Sequence, residues 1–215
     1  MDGIAGKTQM SMNGMLRRVR PADWARLQKD EEFRNKLIAV GFGVGLDVNA
    51  GLAALPWYVR WPLRFMARKQ IRAMKATEKQ QAQTPDGAEK RRILDLHKSW
   101  HGLHWLICQS EWEGPEPLRH AILGGQEVGD DLGYGPARIV EPMTVRQISH
   151  ALATLSAAQI MKRYDGKAMD AANIYPGNFA DDGSWRAEMK RDFDRLQRFY
   201  NEAASAEEGV ISWIQ

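Results

Sequence analysis

Three histidines, His97, His101 and His104, follow one another at spacings of four and three residues, which on a continuous helix sets all three along one face. A histidine pair four residues apart is the spacing with which zinc enzymes hold their metal, but those enzymes place a glutamate beside the first histidine and bring a third ligand from a distance. Here Lys98 follows His97. The expectation is therefore a polar seam, with no metal, in which His101 and His104 hydrogen-bond buried backbone or an acidic loop residue. Lys98 and Trp100 would serve the same cleft.

Other chemistry is weakly signposted. Gly124-Gly125 and Gly133-Tyr134-Gly135-Pro136 could cradle an anion with stacked backbone N–H groups, yet neither fits a P-loop or dinucleotide fingerprint, so both read as tight turns. Glu127, Asp130 and Asp131 lack the alternating spacing of a calcium loop. Ser110, Ser149, Ser156 and Cys108 carry no nucleophile motif, and Glu111, Glu113 and Glu116 could do acid–base work only if the fold brought another carboxylate near. No catalytic residue and no cofactor is expected.

The strongest compositional outlier is Trp57 to Arg92, with ten Lys or Arg against three Asp or Glu, a local charge of +7 that leaves the remainder near −4. Val59, Leu63, Met66, Ala67 and Met74 recur at helical spacing while Arg60, Arg64, Arg68, Arg72, Lys75 and Lys79 gather opposite, which predicts a basic amphipathic helix. With Trp57, Trp61 and Phe65 at one end, such a helix can hold an acidic protein, lie on an anionic membrane or pack on its own core. The candidate partner-binding residues are Trp57, Arg60, Trp61, Arg64, Arg68, Arg72 and Lys75. An acidic protein is the preferred partner, a membrane surface is possible, and nucleic acid is disfavoured because the whole chain is only +3.

These side chains need a frame. Asn13 to Arg20 alternates as a strand, and Pro21-Ala22-Asp23 opens a helix running towards Ile38. The 23 residues from Leu37 to Val59, whose only strongly polar members are Asp47 and Asn49, are long enough to raise a membrane span, but Gly41, Gly43, Gly45, Gly51, Pro56 and Asp47 argue for a glycine-rich turn and a short buried helix. A polar linker at Thr77–Gly87 precedes a second long helix over Ala88–Gln109. Glu111 to Gly135 reads as loop with one short helix at Leu118–Leu123, and Ala137–Val140 reads as a strand. Thr144 caps the next helix, Ser156 a short one to about Tyr164, and Ser184 a long one striped by Met189, Phe193, Leu196, Phe199 and Tyr200. Val210–Ile214 closes the chain as a strand.

The sum is an α+β fold, helix-dominated, with a small mixed or antiparallel sheet built from strands distant in sequence. Residues 1–11 form a loose tail, and 12–215 one domain with a basic helical insertion at about 41–88. A single cysteine, Cys108, allows no internal disulfide, and no secretory signal opens the chain, so a cytoplasmic protein is expected.

Four stretches then resemble the YfbM-like family, a bacterial domain of unknown function. They are a helix carrying Leu94, Asp95, Lys98, Trp100, His101, Leu103, His104 and Leu106; Leu123-Gly124-Gly125 with Gly129-Asp130-Asp131; the run Gly133 to Arg138; and Ile174-Tyr175-Pro176. The resemblance implies a compact α+β fold and no settled activity. His97 departs from the Asp more usual there, and the basic stretch is longer than the family pattern. The functional expectation is a non-enzymatic protein-binding module, in its concrete form an immunity-type protein that neutralises a toxin by covering it. The alternative is a small-molecule or nucleotide-processing enzyme with a cleft of Lys98, Trp100, His101, His104, Tyr134 and Tyr175.

Overall fold

A computed structural model describes residues 12–39, 85–181 and 183–215. The 1–11 tail, nearly all of the glycine-rich run and the whole Trp57–Lys79 segment lie outside the described residues.

Along the chain, β1 (Gly14–Val19) leads into α1 (Pro21–Lys29) and α2 (Glu31–Ala39), and α3 (Pro85–Lys90) precedes β2 (Ile93–Asp95) and α4 (Trp100–Cys108). Then come β3 (Gln126–Asp131), β4 (Pro136–Val140), α5 (Pro142–Ala153), α6 (Ala157–Lys162), α7 (Gly166–Ala171), α8 (Ser184–Ser205) and β5 (Gly209–Ile214). The sheet order is β2-β1-β5-β4-β3, with every neighbouring pair antiparallel and Leu16 of β1 facing Ser212 of β5. The fold is α+β.

Side chains alternate across the sheet and both faces are covered. Leu16, Leu94, Val140 and Val210 pack with the apolar sides of α4, α5 and α8, where Leu103, Ile148, Phe193 and Tyr200 are buried. Met15, Val19, Ile139, Ile211 and Trp213 pack on the other face with Leu27 of α1 and Ile38 of α2. The central strand is accordingly buried from Gly209 to Trp213 without a polar-out alternation, as a strand covered twice must be.

Several elements depart from the sequence expectation for local reasons. The helix opened by Pro21 stops at Lys29, because the Asp30 carboxylate accepts the Phe33 N–H at 2.9 Å and starts α2 as a separate helix. The predicted helix over Ala88–Gln109 is really α3, β2, a three-residue 3-10 turn at His97–Ser99 and α4. Leu94 pairs with Leu16 on the sheet edge, and His97, at φ 46°, turns the chain while its N–H donates to Asp95 at 2.6 Å. Within the expected Glu111–Gly135 loop, Gln126–Asp131 is a strand, and Leu118–Ala121 is a 3-10 turn. α5 starts before Thr144, with Glu141 at the cap position and Pro142 in its first turn. Ser156 caps α6 with a full reciprocal box to Gln159, and the stripe of α8 is buried as the sequence predicts.

One buried cation ties the chain together beside the undescribed segment. Arg17, 4% exposed, donates from Nη1 to the Leu37 carbonyl at 2.7 Å and from Nη2 to the Glu89 carboxylate at 2.8 Å. Burial, with Arg92 and Arg20 adding repulsion, lowers its pKa to about 10, so it stays charged at neutral pH.

Candidate binding site

α4 is apolar on nearly all sides and buried, and it ends at Gln109 in the left-handed region, which turns the chain back along the helix. The returning strand of backbone is held by the two histidines: His101 Nε2 lies 3.1 Å from the Glu111 carbonyl, and His104 Nε2 lies 3.1 Å from that of Glu113. His101 Nδ1 accepts the Tyr175 N–H at 3.0 Å, so its two ring nitrogens are both engaged with backbone and its proton sits on Nε2. Burial lowers the pKa of His101 and pushes that of His104 down to about 4, so both are neutral at neutral pH.

Around His101 four rings pack in a row, His101 stacked on Trp100 and Trp112 tilted against His101 by 33°. Trp112 lies 4.5 Å from His101, His101 lies 4.8 Å from Trp100 at an interplanar angle of 11°, and Tyr175 follows at 5.9 Å from Trp100. Trp100 donates to the Met12 carbonyl at 3.2 Å, and the Met12 N–H donates to the Tyr175 hydroxyl at 2.9 Å. Gly14 lets β1 approach this closely, since a Cβ there would lie 2.4 Å from Trp100 Cβ. The far wall is the loop after α7. Asp170 accepts the N–H groups of Phe179 and Ala180, each at 3.0 Å, and closes a turn in which Asn173, Gly177 and Asn178 all have positive φ.

Between stack and loop lies a cavity of about 580 Å³. Trp112, 57% exposed, also lines a second cavity of about 470 Å³ with Glu113, Arg119, Glu127 and Arg138. His120 and Gly125 are shared between that cavity and a third of about 230 Å³ beside Trp24 and Thr144. Neighbouring cavities share wall residues, Trp112 between the first two and His120 with Gly125 between the last two. His120 Nε2 lies 2.9 Å from Glu116, and Nδ1 is buried against Gly124, where an added Cβ would come within 2.2 Å of it.

Of the six predicted cleft residues, Trp100, His101 and Tyr175 come together at the large cavity and the others do not line it. Lys98 is exposed on the 3-10 turn, and His104 points to the Glu113 carbonyl. Tyr134 is exposed in the β3–β4 turn, where Gly133 and Gly135 donate to Asp131 at 2.7 and 2.9 Å. The three histidines do not share a face, because His97 belongs to the preceding turn and faces Asp95 at 3.3 Å. All seven predicted partner-binding residues, Trp57 to Lys75, lie outside the described residues. Sequence reasoning passed over Trp112 and Asp170; the one available signal was a tryptophan set between Glu111 and Glu113 in a segment otherwise read as loop. Among the described residues no group of three or more His, Cys, Asp or Glu is placed to hold a metal ion, and no helix is long and apolar enough to cross a membrane. Burial pushes the Cys108 thiol up to about 12.

No curated protein matches this chain. Among solved structures, YfbM from Escherichia coli, a protein of unknown function, is similar with a TM-score of 0.56 at 16% identity, covering 94% of this chain and 99% of its own. A likeness at that identity is one of fold. The motifs from Leu94 to Pro176 pointed to the same group of proteins. The model of the domain-of-unknown-function family DUF1877 matches residues 10–213, and this chain therefore belongs to that family.

Proposed function

We propose that this protein is a non-catalytic binding module that grips a protein partner along the groove centred on Trp112. The observation that carries the reading is Trp112 itself: a tryptophan left 57% exposed at the junction of two cavities, yet backed by buried rings that fix its orientation. A large aromatic side chain held rigid in advance gives contact area with little ordering cost, which is why tryptophan is prominent among interface hot spots. Arg119, Arg138, Glu113 and Glu127 line the adjoining groove with both signs of charge, the composition of a polar rim. His101, with both nitrogens engaged, and Cys108, with its raised pKa, are poorly suited to proton transfer or nucleophilic attack, and this too favours binding over catalysis. An immunity-type role, in which the partner is a toxin whose active site is covered, is the concrete form of this reading.

The test is affinity purification of the tagged chain from its native host beside Trp112→Ala and beside a chain lacking 57–79. A partner that loses about tenfold or more in affinity with Trp112→Ala supports the groove as its interface. A partner indifferent to Trp112 but lost with 57–79 moves the interface to the basic segment, and a chain recovered alone in every case overturns the reading.

A further inference from the structure

We infer that the cavity beside Trp112 receives an arginine side chain of the partner, its guanidinium laid on the Trp112 indole and facing the Asp170 carboxylate. The inference rests on the binding-module reading and adds the chemistry of the occupant.

Among the eleven lining residues Asp170 is an acid and none is Lys or Arg, so the cavity carries a formal charge of −1 in a chain that is +3 as a whole. Glu111 is near enough to act electrostatically on His101, while Glu113 of the adjoining cavity is paired with Arg119 at 3.5 Å. His101 adds no opposing charge, because burial keeps it neutral and its Nδ1 lone pair is taken by the Tyr175 N–H. A cation entering the cavity meets no like charge from its walls.

The walls further select the kind of cation. Trp112, Trp100 and Tyr175 are aromatic, and the face of such a ring attracts a cation placed over it, tryptophan most strongly. A guanidinium is planar, so it stacks on the indole and still presents N–H groups in its own plane. Each Asp170 oxygen accepts one backbone N–H from the Phe179–Ala180 turn, and a carboxylate oxygen has capacity for a second donor. Those two bonds also hold the carboxylate in place before a ligand arrives. An ammonium would take the charge without the stacking, and a neutral planar group the stacking without the charge.

Three probes of nearly equal size separate these contributions: N-acetyl-arginine methylamide, its citrulline analogue, which keeps the planar hydrogen-bonding group without the charge, and its lysine analogue, which keeps the charge without the plane. The readout is the indole N–H signal of Trp112 in the full chain by NMR, assigned by its loss in Trp112→Leu. The arginine probe is expected to move that signal with an affinity about tenfold above that of citrulline and above that of lysine. Asp170→Asn, with the Phe179–Ala180 turn checked by its unchanged amide signals, is expected to bring arginine down to the citrulline level. Equal response to arginine and citrulline, or no response to any probe, overturns the inference. The groove as interface then stands if Trp112→Ala still weakens partner capture, whereas capture unaffected by Trp112→Ala moves the interface away from Trp112.

Discussion

His104 carries the clearest chemical consequence at the scale of single residues. In the unfolded chain its imidazole takes up a proton below about pH 6.5, whereas in the folded protein it does so only at about pH 4, because burial penalises the charged ring. The folded pKa is depressed, so the unfolded state binds more protons in that window. Stability is full above about 6.5 and declines as the pH falls towards 4, by about 3 kcal/mol for His104, with His101 acting in the same direction. Urea midpoints measured from pH 7 to pH 4 should therefore fall in the native chain and fall less in His104→Gln, whose amide can still donate to the Glu113 carbonyl. An identical slope in both proteins would remove His104 as the cause. The sequence made the backbone-bonding role of His101 and His104 legible, because buried imidazoles need partners whatever the fold. It could not make the ring stack legible: Trp112 and Tyr175 meet His101 from segments 11 and 74 positions away, and only the tertiary structure brings them there.

At the scale of elements, the legible pieces were those whose signal is local. The strand at Gly14, the box at Ser156 and the stripe of α8 are written in adjacent residues. Ser156→Ala removes one half of that box and should cost about 1 kcal/mol, a drop in melting temperature of roughly 2–4 °C for a protein of this size. An unchanged melting temperature would show that α6 is held by Ile160 and Met161 in the core alone. The two edge strands had no such signal. β2 is three residues long, and β3 reads Gln-Glu-Val-Gly-Asp-Asp with nearly every side chain exposed, so neither shows the alternation of a half-buried strand. Each exists because a neighbour, β1 or β4, offers unpaired backbone groups, and a polar, short edge strand is how a sheet avoids pairing with other molecules. Reading through β2 as helix is what put His97 on the wrong face.

At the scale of the whole molecule, the sheet has its two faces covered by different parts of the chain, α1 and α2 on one side and α4, α5 and α8 on the other. The two cavities that share Trp112 draw on Met12, α4, the segment after it, the turn of Leu118–Ala121, β3, β4 and the loop after α7, none of them adjacent in sequence to residues 41–84. Replacing residues 41–84 by a short flexible linker should therefore leave a folded protein whose melting temperature lies within roughly 5 °C of the native value, measured by circular dichroism. Loss of a cooperative transition would show that those residues belong to the core. This prediction turns on Arg17, whose one guanidinium holds Leu37 on the way out and Glu89 on the way back. One buried side chain thus anchors α2 and α3 to β1 within the described residues. For the flexible linker that replaces residues 41–84 each doubling of length adds only about 0.6 kcal/mol of closure entropy, so linkers of different lengths should all leave the register of β1 against β2 and β5 as it is.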